Sequence, residues 1–596
     1  WVRRFGADRE IVGRSIALGS VQYTIVGVVG AGVDTEQFDV RPDVWVPFQY
    51  DVYRVDSGGL SVVTGRLKSG VSLEVANEQV GAADAGNAEY RAGLTGQAPP
   101  RQSATSEVRP LIDVMVGGMR QTINVLFLAV GLLLLIACAN VANLLVARGA
   151  NRHHELAIRT ALGAGRMRLL RQLLAEALVL STAGGAPGLL LGAYVIRSAL
   201  RVFPATNPML LGTNPAAIPR IGTDASAVAV DGQVLLFTLA VSVGTTLLFG
   251  LLPAFTSLGK NVTHALKRAS SSLGTGFRRS RVRAMIVAGE VALAVTLLVG
   301  AALLVQTFRA YRGVETGFDP NGVITMRTAV SGTPYDTGEG IQTLTRDGLE
   351  RVRALPGVVS AGMACCVPLE QVWQLPFVIQ SRSEVDLQRS GNLAFHGFGG
   401  WTVVSPGYFE SLDLPVLRGR GLTDRDTQGA PGEVVINQTM ARRFWPEGDP
   451  LTDRLAIGQG MSSEYDADPI RQIVGIVADA RTQGLTCEPR PEMYVPVSQV
   501  PSDVITLSVR LLPIAWFART RMAPRAVGPP GAVTESMSSA LEEVSGLAIA
   551  GVRSMSDIVA GSTGRTRFDM WLMTLFGGSA LLLSVVGVYG LTAHSV

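Results

Sequence analysis

Charge is scarce in this chain. Asp, Glu, Lys and Arg together make up 17% of its 596 residues. Soluble globular proteins carry more, so a chain that lives wholly in water is disfavoured. Cysteine is scarce as well: four residues are too few for a disulfide scaffold. Five histidines lie scattered, and no Cys/His cluster has the spacing of a metal site. No GxxxxGK(S/T) loop is present to cradle a nucleotide. His154-Glu155 begins like the zinc helix HExxH, but position 158 is Ile. The run from Gly357 through Ser360 to Gly362 has one residue too many for a nucleophile elbow. An enzyme reading is left without residues, and no cofactor or metal is expected. The net charge of +4 is too small to imply a nucleic-acid partner.

What the chain has in quantity is apolar residues, 47% of the total. It also repeats itself. YTIVGVV (Tyr23 to Val29) and DVWVP (Asp43 to Pro47) return as RQIVGIV (Arg471 to Val477) and EMYVP (Glu492 to Pro496). VRRF at 2–5 answers ARRF at 441–444, and VRPLID at 108–113 answers VRSMSD at 552–557, in the same order. Each copy runs directly into an uncharged apolar stretch. A repeated unit of soluble domain and membrane helix points to a membrane machine with two similar halves.

Five stretches are long enough to cross a bilayer, which takes about 20 apolar residues in a helix. They are 123–147, 173–197, 233–257, 284–307 and 568–593. Loop charges set the expected orientation. The loop between spans one and two holds six arginines against a single acid, Glu155, and the loop between spans three and four is basic with no acid at all. Short Lys/Arg-rich loops stay cytoplasmic, so 148–172 and 258–283 are expected inside and the two large soluble regions outside. Glu176 and Glu290 each fall a few residues into a span from its cytoplasmic end. Each either snorkels or bonds a neighbouring helix, or forms a polar contact that moves in a working cycle.

Both soluble regions read as mixed α/β. YTIVGVV and RQIVGIV have the β-branched content of buried strands. Ile341, Leu344, Leu349, Val352 and Leu355 recur at helical spacing, Pro356-Gly357 ends that helix, and VVSAGM follows as a strand. GRLKSGVSLEVANEQVGAA reads as strand, turn and helix. Cys365, Cys366 and Cys487 lie in the second region. One disulfide to Cys487 is open if that region is extracytoplasmic, with free thiols the equal alternative. The chain opens on Trp1 without a signal peptide and stops at Val596 just after an apolar span, so a fragment of a longer protein is expected.

The inside segment RHHELAIRTALGAGRMRLLRQ (152–172) places Ala157, Ile158, Ala161 and Leu162 on one helix face and Arg152, Glu155 and Arg159 on the other. The expectation is a short amphipathic helix, broken at Gly163 and Gly165, with a second basic helix leading into span two. Two readings stand on physics alone: a membrane-surface helix snorkelling its arginines, or a docking helix for a cytoplasmic partner.

The stretch ELAIRTALGAGRMRLLRQLLAEALVLSTAGGAPGLLLG resembles the signature of the FtsX-like permease domain of MacB, lipoprotein-release and cell-division ABC permeases. VVSPGYFESLDLPVLRGRGLTDRD (Val403 to Asp426) and VVINQTMARRFWPEGDP (Val434 to Pro450) resemble the MacB-type periplasmic core domain. The order of parts is similar to duplicated permeases known from acidobacteria. The resemblance implies two mixed α/β extracytoplasmic domains alternating with FtsX-like transmembrane helices. Residues 1–120 would be a first, N-terminally truncated core domain and 121–307 an FtsX-like domain with four membrane helices. Residues 308–566 would be the second core domain and 567–596 the start of a second FtsX-like domain.

The family's coupling-helix pattern maps onto Glu155, Arg159, Leu162, Gly163 and Ala164, and Glu176 matches a position usually acidic there. The implied partner is a cytoplasmic ABC ATPase supplied in trans. The implied setting is the lipid bilayer of a bacterial inner membrane, with room for a periplasmic or outer-membrane partner. The chain departs from the full pattern: the first membrane helix and the start of the first core domain are missing, the second FtsX-like domain stops before its coupling helix, and no ATPase is fused. Efflux or export of an envelope substrate is the implied function. The alternatives are an FtsX-like regulator of cell-wall hydrolases and a membrane scaffold or sensor.

Overall fold

The computed structural model describes residues 1–18, 21–30, 44–46, 65–95, 107–111, 113, 120–161, 166–202, 232, 234–241, 244, 276–369, 373–382, 395–459, 463–485, 487–502, 504–505, 513–521 and 531–593. In chain order the helices used below are α1 (Leu73–Thr95), α2 (Arg120–Ala161), α3 (Arg166–Val202), α4 (Gly276–Arg312), α5 (Gly338–Arg353), α6 (Tyr408–Leu412), α7 (Gln438–Phe444), α8 (Gly531–Ser545), α9 (Met555–Ser562) and α10 (Gly564–Ala593). The strands are β1 (Ser15–Leu18), β2 (Val21–Thr24), β3 (Val323–Thr328), β4 (Val358–Ala364), β5 (Trp373–Ile379), β6 (Gly397–Val404), β7 (Val416–Gly419), β8 (Glu433–Asn437), β9 (Arg454–Ile457), β10 (Arg471–Val477), β11 (Glu492–Pro496), β12 (Ile514–Thr520) and β13 (Ile549–Ser554). The chain divides into two compact units. One takes in the described residues of Trp1–Val114 and Val314–Thr563, the other those of Met115–Thr206, Ile218–Gly313 and Gly564–Val596.

The first unit is built on one sheet whose pairings close a ring. β6 pairs β11 in parallel, β11 pairs β8, β8 pairs β10 in parallel, and β9 and β5 lead back to β6. Closure leaves these six strands without a free edge to template pairing with another chain. From β6 a single pair, Ala364 with Val404, leads into the antiparallel order β4-β12-β3-β13. The repeated motifs RQIVGIV and EMYVP are β10 and β11, on either side of β8. Both are largely buried because their β-branched and aromatic side chains fill the interior.

Helix α5 forms where its apolar spacing predicts. Thr337 caps it by accepting from the Gly340 backbone N–H at 3.1 Å, and it buries Ile341, Leu344, Leu349 and Val352 against the sheet. Gly348 lets the Trp516 ring lie close: a Cβ there would meet Cη2 at 2.6 Å. Gly357, with φ 90°, turns the chain into β4 as the Pro-Gly pair implies. On the other side of the sheet, Tyr408, Phe409 and Leu412 of α6 pack with Tyr494 and Phe517.

The first region departs from its expected form. YTIVGVV does not run as a buried strand. β2 ends at Thr24, its only partner among the described residues is β1, and Val26, Val28 and Val29 are exposed. In the second copy the equivalent run lies between β8 and β9, which cover it. Among the described residues the first-copy run has no such neighbours to bury against. In the segment that reads as strand, turn and helix, the turn at 68–71 and helix α1 form, but 65–68 is not a strand.

No disulfide joins the cysteines; the Sγ atoms of Cys365 and Cys366 lie 2.9 Å apart.

Candidate functional site

The second unit is helical. Among the described residues, three helices are long and apolar enough to cross a membrane, over Thr122–Val141 in α2, Val287–Ala310 in α4 and Arg567–Tyr589 in α10. They pack on one another through small residues: Ala129, Ala294, Ala301 and Ala580 are buried between them. A Cβ on Gly577 would meet the Ala301 Cβ at 3.2 Å. Small side chains of this kind let helix backbones approach where lipid supplies no hydrophobic drive. The outer faces stay apolar; Phe127 is 73% exposed and Leu582 69%. In water such faces would be a liability, and in a bilayer they meet acyl chains.

The second expected span, 173–197, falls within the continuous helix α3, which holds Pro187. A membrane helix tolerates an internal proline when neighbours satisfy the freed backbone groups. Of the third, 233–257, residues 234–241 are helical, and most of the rest lies outside the described residues. The fourth and fifth fall in α4 and α10.

The candidate coupling segment differs from its expected form in one respect. It is not a separate short helix. α2 runs unbroken for 42 residues from Arg120 to Ala161, about 60 Å, roughly twice the thickness of a bilayer core. Its sequence has no proline in that stretch, and its two glycines, Gly131 and Gly149, do not stop the helix. Glu155 and Arg159 therefore lie on the helix that contains span one, with Glu155 about 20 Å beyond the end of the apolar stretch at Val141. Leu162, Gly163 and Ala164 lie outside the described residues, between the end of α2 and the start of α3 at Arg166. Glu176 is on α3 and Glu290 on α4. Glu290 is 1% exposed, inside the three-helix contact.

Sequence reasoning missed two polar features. Asn140 lies on α2, and its Nδ2 donates to the Leu583 carbonyl of α10 at 2.7 Å. The apolar run around Asn140 carried a signal, since an amide inside a span needs a partner. The other is Glu492 in the first unit, 0% exposed on β11. One oxygen accepts from Thr482 Oγ1 at 2.7 Å, and the other has no partner. Burial pushes its carboxyl up to about 7, against the opposing influence of Thr482 and Arg490.

Two domain families match. Residues 127–262 match the FtsX-like permease C-terminal domain, and residues 284–520 the MacB-like periplasmic core domain. With its apolar helices, the chain belongs to the MacB/FtsX-type ABC transporter permeases. These are membrane transport proteins, not enzymes in the ordinary sense. Among curated relatives, the macrolide export ATP-binding/permease protein MacB of Escherichia coli is 27% identical over 186 residues, 30% of this chain and 27% of that protein. The protein of the same name in Chromobacterium violaceum is 25% identical over 272 residues, 45% of this chain and 37% of that protein. The chain thus spans between about a quarter and somewhat over a third of these relatives. Among solved structures, the extracellular domain of the noncanonic ABC-type transporter YknZ from Gram-positive bacteria is 15% identical. The alignment covers 39% of this chain and 99% of that one, with a TM-score of 0.25. The periplasmic region of MacB from Actinobacillus actinomycetemcomitans is 12% identical over 41% of this chain and 92% of that one, also at 0.25.

Proposed function

We propose that the chain is a permease subunit that couples a separate cytoplasmic ABC ATPase to movements of extracytoplasmic domains, for efflux or for export of an envelope substrate. The observation that carries this reading is the unbroken helix from Arg120 to Ala161. A helix held by backbone hydrogen bonds at every turn is stiff, so a push at Glu155 and Arg159 reaches the span without being absorbed by a hinge. The short segment between α2 and α3 carries Gly163 and Gly165, residues that accept backbone conformations others resist. In this account the ATPase closes on ATP, pushes the segment made of Glu155, Arg159, Leu162, Gly163 and Ala164, and shifts the membrane helices. The outer domains then rearrange. In this reading energy enters in trans, from an ATPase on a separate chain.

The domain plan proposed with it is the repeated one: 1–120 and 308–566 outside, 121–307 and 567–596 in the membrane. The lysine and arginine bias of the loops supports those sides. The names of the curated relatives, which join ATP binding to a permease and to macrolide export, support an ATP-driven export role. The test is purification of the chain from native membranes under mild detergent, followed by identification of its partners. An ATP-hydrolysing partner whose turnover rises when the chain is present is the expected result. A complex without any ATPase removes the proposal and leaves a scaffold or sensor.

A further inference from the structure

Among the three packed helices, three buried side-chain oxygens are brought together without a donor in hydrogen-bond geometry: Asn140 Oδ1 on α2 and both carboxyl oxygens of Glu290 on α4. The Asn140 amide nitrogen is already engaged with the Leu583 carbonyl. The three oxygens converge on Gly587. A Cβ built there would lie 1.9 Å from Asn140 Oδ1 and 2.6 and 2.8 Å from the two oxygens of Glu290. Glycine at this place is what makes room for them.

The sequence repeat gives the arrangement a second meaning. With Gly131, Leu134, Leu135 and Val141 of α2 set against Gly578, Leu581, Leu582 and Val588 of α10, Asn140 falls on Gly587. The two related helices face the same carboxyl. One brings an amide and the other brings nothing. Two amides would collide at the distances above, so the repeat has been made unequal where Glu290 sits.

A cluster of acceptors in a dry contact is unfavourable unless a proton or a cation joins them. The only Lys or Arg residues within the three apolar stretches, Arg309 and Arg567, stand at the ends opposite Glu290. Within the three apolar stretches, the ionisable side chains are Cys138 on α2, Glu290 and Arg309 on α4, and Arg567, Asp569 and Tyr589 on α10. Arg309, Arg567 and Asp569 lie at stretch ends, and the Tyr589 ring is 72% exposed. The nearest basic residue along α4 is Arg283, about 10 Å away on the helix axis. A single proton resolves the cluster: as a carboxylic acid, Glu290 gains one donor, and Asn140 Oδ1 lies in reach of it.

We propose that Glu290 is an intramembrane proton-binding site whose protonated carboxyl donates to Asn140 and pins α4 to α2 and α10. Binding makes one O–H bond and nothing else; release returns the proton and leaves a buried carboxylate facing the Asn140 carbonyl oxygen, which drives the helices to part. The ligand is a proton and not an alkali cation, because the Asn140 amide and Glu290 supply too few oxygens to replace a hydration shell. The inference needs only the bilayer setting and stands whether or not an ATPase drives the chain.

The test is infrared difference spectroscopy on the full chain in lipid nanodiscs, wild type against Glu290→Gln, across a pH series. Glu290→Gln keeps the shape and one donor, so it folds. The expected result is a protonated-carboxyl band near neutral pH that is absent from Glu290→Gln, moves to higher frequency in Asn140→Leu, and is lost as pH rises. Labelling by dicyclohexylcarbodiimide, read by mass spectrometry, should modify Glu290 and fade over the same pH range. Two results overturn the proposal. One is a carboxylate signal at every pH above that of an ordinary glutamate. The other is loss of the label on adding sodium at constant pH, which would assign the site to a cation.

Discussion

Gly400 on β6 pairs with Glu492 on β11, and a methyl group on Gly400 would lie 2.0 Å from Glu492 Oε2. The parallel pair that closes the six-stranded ring therefore has a buried carboxyl seated over a glycine. The seat is full: Gly400→Ala has to displace a side chain that is 0% exposed, at a cost of about 1–3 kcal/mol.

The carboxyl also makes the first unit sensitive to pH. Its folded value is about 7 against an ordinary 4.5. Below 4.5 both folded and unfolded forms hold the proton, and the contribution to stability is complete. Between the two values the unfolded chain has lost the proton and the native one keeps it, so stability falls as pH rises. Above 7 the contribution is gone, a total change of about 3 kcal/mol. Thermal melting followed by tryptophan fluorescence should show a lower midpoint at pH 8 than at pH 5. Glu492→Gln should flatten the difference, and an equal slope in that variant would mean that other groups set it.

Arg471, the first residue of the repeated motif in its second copy, is 0% exposed and holds Asp468 through two contacts, Nη2 to Oδ1 at 2.6 Å and Nε to Oδ2 at 3.0 Å. It also donates to the Gln499 and Glu433 carbonyls. Removing one partner leaves a buried charge, so Arg471→Met or Asp468→Leu alone should destabilise by about 3–5 kcal/mol. The double variant should cost less than the sum of the two. Denaturant melts of the three variants measure the coupling; strict additivity would show that the pair acts as two independent residues.

Orientation is open to chemical labelling. In a cysteine-free background, a single cysteine at position 383 should react with an impermeant maleimide in intact cells, whereas one at position 272 should react only after the membrane is opened. The loop charges require that order. Protection of position 383 in intact cells would reverse the proposed sides.

Local patterns carried part of the fold into the sequence. Helix α5 and strand β4 are legible because their apolar spacing and Pro-Gly stop agree. RQIVGIV and EMYVP are legible as strands, yet nothing in them announces that β11 closes a ring onto β6, since register between distant strands is a property of packing. YTIVGVV shows the other side of that rule: the same pattern, with no strand but β1 paired to it among the described residues, is exposed at Val26, Val28 and Val29. In the membrane unit, Glu290 is conspicuous as an acid in an apolar run. Its neighbours Asn140 and Gly587 are not, because they meet it only through helix packing between residues far apart in the chain. The continuity of α2 was hidden by the switch from apolar to charged residues, which changes the solvent around a helix without ending it.

The most direct measurement of the coupling account is the stimulation of a co-purified ATPase by the chain carrying Glu155→Lys or Gly163→Pro. Both variants should insert in the membrane at normal levels. Glu155→Lys reverses the sole acidic charge in the segment from 148 to 172, and Gly163→Pro restricts the backbone of the segment between α2 and α3. The account predicts that the ATPase no longer co-purifies in normal amount, or binds without a rise in turnover. Full binding and full stimulation in both variants would contradict it and leave the end of α2 a membrane-surface element.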